Sequence, residues 1–104
     1  MTPDEARTLA LSLPDAVEAD HHGRPSFRVG GKIFATLWSE EQLNVMLDEG
    51  GIRTAVDRWQ AWCEELYWGK RLAAVRVDLT ATNREDLGDL LRDAWEGKTG
   101  RAPE

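Results

Sequence analysis

The sequence predicts an α+β fold: a single domain over residues 1–104, with an antiparallel sheet and packed helices in the order α-β(3-4)-α-β-α. Three segments show helical spacing of apolar residues, and two of these begin with a capping box. The stretches before and between them alternate apolar and polar residues around short turns, which is typical of strands. Because strands follow one another without intervening helices, antiparallel pairing is favoured over βαβ units.

The first helix has clear start and stop signals. Thr2 and Glu5 form a Thr-x-x-Glu capping box, and Pro14 ends the helix. Residues 15–20 follow as a short edge-like strand or an extended arm, and residues 21–25 form a loop that contains Gly and Pro.

The stretch 24–38 predicts a hairpin, because two apolar-rich runs flank Gly30 and Gly31. Two glycines suit a type I′ turn, in which both central residues need positive φ. A two-residue turn pairs Phe27 with Phe34 and puts both rings on one face of the sheet. The other face then carries Arg28, Ile33, Ala35 and Leu37.

The remaining elements follow from periodicity. Residues 39–51 contain a polar turn and then a strand. An apolar stripe at helical spacing runs from Ile52 to Leu66 and predicts the second helix, which could also end before Leu66 because a glycine follows at position 69. Residues 71–79 read as the last strand. A second capping box at Thr82 starts a third helix over about 83–95, and residues 96–104 are expected to be a frayed tail.

The composition excludes several classes of protein. A hydrophobic fraction of 41% with 31% charged residues is typical of a globular domain. The N-terminal residues carry acids where a signal peptide carries basic residues, so we expect a cytoplasmic protein without a membrane segment. The single cysteine, Cys63, excludes an intramolecular disulfide and a cysteine metal cluster. Because the chain has no nucleophile elbow, P-loop or G-x-G-x-x-G, we expect a non-enzymatic protein without a cofactor.

Basic residues are concentrated in two stretches of this acidic chain, whose formal net charge is −6. Residues 21–37 and 66–77 each carry three cations and no acid. A glycine turn lets a phosphate approach the backbone closely, and neighbouring cations can neutralise it. The alternative is a plain turn with solvated charges. The candidate nucleic-acid-binding residues are Arg24, Arg28, Gly30, Gly31, Lys32, Lys70 and Arg71.

Five tryptophans in a chain of this length are a second candidate feature. Large aromatic side chains dominate both interfaces and cores, so they could line a groove for a protein, a small ligand or a second protomer, or they could be core. The candidate ligand or partner surface consists of Trp38, Trp59, Trp62, Tyr67 and Trp68.

The order and spacing of these pieces resemble the MmcQ/YjbR-like family. The likeness covers Thr8 to Trp95 and is most specific in "LSLP" after the first helix together with "FRVGGKIFA". The resemblance implies a CyaY-like α+β domain, loosely shared in shape with type III secretion chaperones. Members are described as DNA-binding through paired hairpins, a "double wing". The first wing would be residues 27–37 with its tip at Gly30-Gly31, and residues 72–79 would lie beside it.

Three further features are weaker indications of a metal-binding or catalytic site. His21 and His22 could ligate a metal, but adjacent strand residues point to opposite faces, so we expect no metal site. Cys63 on an apolar stripe is expected to be inert core. Acids crowd the N-terminal part, where they are better explained by the helix dipole and by solvated faces than by iron binding: Asp4, Glu5, Asp15, Glu18 and Asp20.

The sequence thus favours a small non-enzymatic binding protein, with DNA as the first candidate partner. The alternative is a module that binds a protein or small ligand and that could be homodimeric or chaperone-like. The sequence leaves the oligomeric state open. The two hypotheses differ in whether the cations share one exposed face or the tryptophans surround a concavity.

Overall fold

The computed structural model describes residues 1–101, and its first helix starts as predicted. In α1 (Pro3–Leu11), the hydroxyl oxygen of Thr2 accepts a hydrogen bond from the Glu5 amide at 3.2 Å. The Glu5 carboxylate in turn accepts one from the Thr2 amide at 3.0 Å. Both halves of the predicted capping box are therefore present, and two amides that the helix leaves free are satisfied.

Six antiparallel strands form one sheet in the order β1-β2-β3-β4-β6-β5. The first strand lies at one edge, as predicted, and β5 lies at the other. The sheet is a four-stranded meander extended by a hairpin whose second strand pairs with β4. The strands are β1 (Val17–His21), β2 (Arg24–Val29), β3 (Lys32–Leu37), β4 (Gln42–Val45), β5 (Cys63–Trp68) and β6 (Arg71–Asp78).

The hairpin between β2 and β3 turns at the two glycines, as expected. Gly30 and Gly31 have φ values of 58° and 78°. Val29 pairs with Lys32 across the turn. Since both central residues have positive φ, the turn needs the two glycines for its geometry alone.

A β-bulge changes the register further along this hairpin. Phe27 lies opposite Ala35 rather than Phe34, because β3 contributes an extra residue there. Ala35 therefore joins Phe27 in the core and is fully buried, whereas Arg28 turns to the other face of the sheet. The sequence predicted that four residues share the face opposite the two Phe rings. This prediction is wrong, because they divide between the two faces: Arg28, Ile33, Ala35 and Leu37.

The second helix, α2 (Glu49–Arg58), ends earlier than its apolar stripe predicts. Residues 63–68 form strand β5 and pair with β6, so the predicted helix up to Leu66 is wrong beyond Arg58. Cys63 and Leu66 are three residues apart, a spacing that fits one face of a helix. The same spacing also fits a strand, where it places the two side chains on opposite faces of the sheet. The structure therefore has two strands after α2 where one was expected.

The third helix, α3 (Arg84–Thr99), starts one residue later than predicted. Asn83, not Thr82, is the N-cap, and its side-chain oxygen accepts from the Asp86 amide at 2.9 Å. The helix continues to Thr99 and ends at Gly100, which is left-handed with φ of 72°. Residues 96–99, assigned to a frayed tail, are therefore helical, and residues 102–104 lie outside the described part of the chain.

All three helices pack on one face of the sheet around one core. Trp95 of α3 is almost fully buried there, and its indole N–H donates to the carbonyl of Pro14 at 2.9 Å. The predicted class is confirmed: an α+β fold with an antiparallel sheet and packed helices. Within residues 1–101, no helix combines the length and hydrophobicity needed to cross a bilayer.

Candidate functional site

The face of the sheet that carries no helix, called the open face below, has a row of polar side chains. The strand register places five residues side by side across β2, β3, β4, β6 and β5. The three at the β2 end of the row are neutral and nearly fully buried, although no helix covers them. Arginine and tryptophan side chains on the same face contact this row. Its members are Ser26, Thr36, Asn44, Arg76 and Glu64.

Arg28 holds one end of this row. Its Nε donates to the Ser26 hydroxyl at 3.1 Å, and its Nη2 donates to the carbonyl of Asp20 at 3.2 Å. The Ser26 hydroxyl itself donates to the carbonyl of Ala19 at 2.8 Å. Arg28 is thereby fixed across β1 and β2 by neutral acceptors, and its positive charge is not matched by a carboxylate in these contacts.

Trp38, which directly follows β3, has two guanidinium groups close to its ring. The guanidinium carbon of Arg24 is 3.8 Å from the indole centroid, and its Nε donates to the Trp38 carbonyl at 2.9 Å. The guanidinium carbon of Arg76 is 5.4 Å from the same ring, and its Nε donates to Asn44 at 3.1 Å. The indole is still 40% exposed. An aromatic ring and two half-buried arginines therefore form one partly exposed cluster.

The three open-face arginines, called the arginine cluster, are Arg24, Arg28 and Arg76. Within residues 1–101, the ion pairs involve other arginines, namely Arg7, Arg84, Arg92 and Arg101. Guanidinium groups that keep free N–H donors are suited to phosphate or carboxylate groups. The sequence pattern did not single out Arg76 as a site residue. The alternation along β6 puts it on the face opposite Val75 and Val77, and this is the signal that could have found it.

Thr36, between Ser26 and Asn44 in the row, has an unsatisfied hydroxyl. Thr36 is 4% exposed, and its Oγ1 has no hydrogen-bond partner among the described residues. On either side of it, Ser26 and Asn44 both accept hydrogen bonds from arginines. A buried polar group left without a partner costs free energy, so Thr36 needs an explanation that packing does not supply.

The two hairpin tips lie at the same end of the sheet, because β2 and β5 run in the same direction. Each tip has an exposed lysine, Lys32 after Gly30-Gly31 and Lys70 after Gly69. The hairpin axes are three strand spacings apart, or about 14 Å at the usual spacing. Strand β4 ends at Val45, so both hairpins extend beyond it.

The predicted basic residues therefore do not form one patch. Arg24 and Arg28 lie on the open face, and the two lysines lie at the tips. Arg71 instead lines a cavity of about 540 Å³ between α2, α3 and the sheet end, together with Arg58 and Asp93. Burial raises the pKa of the Asp93 carboxyl, and the neighbouring acids Glu96 and Asp89 raise it further. This cavity belongs to the helix side and is separate from the arginine cluster.

The predicted aromatic residues are also divided among different places. Trp59 and Trp62 are buried and stack with ring centroids 5.1 Å apart. Trp38 lies on the open face, whereas Tyr67 and Trp68 are about half exposed on the edge strand β5. The five side chains do not surround one apolar groove.

A groove of about 730 Å³ opens beside the end of β6 that carries Arg76 and Asp78. Trp62, Cys63 and Arg76 are among the residues that line it. Four carboxylates also line it, so its charge differs from that of the neighbouring arginine cluster: Glu40, Glu41, Glu64 and Asp78.

The remaining predicted features show no reactive arrangement. Burial raises the pKa of the Cys63 thiol to about 12, so it is not an activated nucleophile. His21 and His22 are exposed, and within residues 1–101 no three His, Cys, Asp or Glu side chains cluster as metal ligands. Arg7 pairs with Asp4 and Glu18 at 2.7 Å each, which partly neutralises the N-terminal acids.

Glu5, another of these acids, is tied up in the helix cap. Hydrogen bonds from the Thr2 backbone and side chain lower the pKa of its carboxyl, and Arg84 lowers it further. Its role at the start of α1 is therefore structural.

Comparison with known proteins supports the fold. The YjbR family model matches residues 11–97. The crystal structure of Deinococcus radiodurans protein DR2400, which has a DUF419 family-model domain, is similar with a TM-score of 0.73 and 21% sequence identity. The similarity covers 97% of this chain and 82% of that one, and at this identity it shows the fold alone. No curated protein matches the chain. With the family model covering most of its length, the chain belongs to the YjbR family.

Proposed function

We propose that this protein is a non-enzymatic DNA-binding protein that takes DNA on the open face of its sheet. The observation that carries this proposal is the arginine cluster: three guanidinium groups on a face without helices, none paired with a carboxylate within residues 1–101. Phosphate groups are the ligands that such arginines favour.

The distribution of charge supports the same face. The three helices carry nine of the acids, and they cover the opposite side of the sheet: Asp4, Glu5, Glu49, Asp57, Glu85, Asp86, Asp89, Asp93 and Glu96. A polyanion approaching the β1–β3 half of the open face meets Arg24 and Arg28 without meeting these acids. The net charge of −6 therefore does not argue against one basic face.

The hairpin tips extend this surface. Lys32 and Lys70 are exposed at one end of the sheet, and the backbone at Gly30-Gly31 has open space around it. A DNA backbone that crosses the arginine cluster can reach the first of these tips along β2 and β3. In this proposal the tips add phosphate contacts, and the open face supplies most of the site.

The test is salt-dependent binding of labelled DNA, measured by fluorescence polarisation. Arg24→Gln, Arg28→Gln and Arg76→Gln should each weaken binding. Removing one arginine–phosphate interaction should reduce the slope of log K against log salt by about 1. Arg53→Gln is the matched control, because Arg53 is exposed on α2 at the helix side. No binding at low salt with micromolar protein would contradict the proposal.

A second candidate function has one observation of its own, the groove of about 730 Å³ beside Trp62. Its size is that of a small-ligand site. Its four carboxylates favour a cationic small ligand or a basic peptide over DNA. Glu64→Gln should weaken binding of such a ligand but should not weaken DNA binding, because it removes a negative charge opposite Arg76. Arg28→Gln should weaken DNA binding and leave binding of the cationic ligand intact.

A further inference from the structure

We infer that the DNA bound on the open face is single-stranded, with one base stacked on the exposed part of the Trp38 indole that Arg24 does not cover. This inference rests on the proposed function, because it names the form of DNA that the same face would take. The inference goes beyond the proposed function by assigning the affinity for DNA to base stacking as well as to phosphate contacts.

The first argument is the size of the electrostatic contribution. Binding to duplex DNA depends mainly on neutralising phosphates, so a face with few cations gains little affinity from it. The open face offers three arginines, in a protein of net charge −6. A ligand whose bases are accessible can add stacking and hydrogen bonds, which do not depend on net charge. Only an unpaired strand has such bases.

The second argument is the geometry at Trp38. Arg24 lies at stacking distance from the indole, 3.8 Å from its centroid, and also bonds the Trp38 carbonyl, so the ring is held in place. Arg76 is farther away, at 5.4 Å, and the ring is 40% exposed. A preorganised aromatic ring flanked by guanidinium groups is the kind of platform on which bases of single strands stack.

The experiment compares a labelled oligothymidylate with a duplex of the same length in fluorescence polarisation. We expect the single strand to bind about tenfold more tightly than the duplex at moderate salt. Trp38→Ala should weaken single-strand binding about tenfold or more, the usual effect of removing one stacking side chain. Trp68→Ala is the matched control, since Trp68 is exposed on the edge strand β5 away from the cluster.

A second variant, Trp38→Leu, keeps an apolar side chain but removes the aromatic face, and its single-strand affinity should fall by the same factor. Circular dichroism checks that each variant is folded. Duplex binding as tight as single-strand binding would overturn this inference and leave the proposed function standing. Failure of the wild-type protein to bind either ligand would overturn both. Unchanged single-strand affinity in a folded Trp38→Ala or Trp38→Leu variant would show that stacking at this ring does not occur.

Discussion

Arg24 and Trp38 form a double contact across the β2–β3 hairpin. The guanidinium carbon lies 3.8 Å from the indole centroid, and the Nε donates to the Trp38 carbonyl at 2.9 Å. One side chain thus fixes both the ring and the backbone at the end of β3. The sequence suggested two alternative binding surfaces, one basic and one aromatic, and this contact joins one residue from each of them.

Arg24→Ala should therefore destabilise the fold by about 1 kcal/mol, because it removes a cation–π contact and a hydrogen bond at a partly exposed site. Arg24→Lys should retain only part of this stabilisation, since an ammonium group cannot both stack and donate in the same geometry. Urea unfolding measures the change. Arg53→Ala, on the exposed side of α2, is the control, and an equal effect in both variants would contradict the structural role of Arg24.

Thr36→Val should be neutral or stabilising by up to roughly 1 kcal/mol, because it replaces a buried hydroxyl that has no partner with a methyl group of similar size. Ser26→Ala should have the opposite effect. It removes a hydroxyl that bonds both Ala19 and Arg28, at a cost of roughly 1–3 kcal/mol. Thermal unfolding of both variants makes the comparison. A clear drop in stability in Thr36→Val would mean that its hydroxyl has a partner in solution.

Much of the fold could be predicted from local signals. The capping box at Thr2 and the Gly30-Gly31 turn depend on neighbouring residues, and both are present as expected. The strand at Cys63–Trp68 and the bulge near Phe27 depend on pairing between strands. Local periodicity cannot detect them, because the same spacing of apolar residues fits more than one secondary structure or register. Pairing between strands decides which of these forms.

The candidate site could be predicted only in part, for the same reason. The sequence identified Arg24, Arg28 and Trp38, but it assigned them to two different hypotheses. Their contact depends on the register of β2 and β3. Arg76 joins them only because β6 pairs with β4 rather than with β3, and sequence alone does not show that order.

The glycines of the β2–β3 turn should tolerate different substitutions. Gly30→Asn should be nearly neutral, because asparagine accepts positive φ in a type I′ turn. Gly31→Val should cost roughly 1–2 kcal/mol or more, since a β-branched residue is strained at φ of 78°. Chemical unfolding measures both. If Gly30→Asn leaves stability unchanged but abolishes DNA binding, the backbone of the turn contacts the phosphate directly.

Cys63 should not react with thiol reagents in the folded protein. Burial raises its pKa to about 12, so at pH 8 almost all of the thiol is protonated and shielded. Reaction with a disulfide reagent should be slow in buffer and fast in denaturant. Rapid modification of the native protein would show that the α2–β5 connection opens and exposes this side chain.

Asp93 should make the folded protein less stable as the pH rises through the range in which this carboxyl loses its proton. An ion-paired carboxylate has the opposite effect. Burial, with Glu96 and Asp89 nearby, raises its pKa above the usual value of 3.8, and Arg58 and Arg92 only partly oppose this. The charged form is therefore less favourable in the folded state than in the unfolded chain. The resulting penalty is fully present above the folded pKa and disappears as the pH falls below 3.8.

Asp93→Asn should consequently raise the melting temperature at pH 7, and this gain should shrink as the pH is lowered toward 3.8. The gain should be small, because Asp93 is only partly buried and solvent screens its charge. Thermal unfolding of the wild-type protein and the variant across this pH range tests the sign. A lower melting temperature for Asp93→Asn at pH 7 would mean that attraction to the neighbouring arginines outweighs the cost of burial and repulsion.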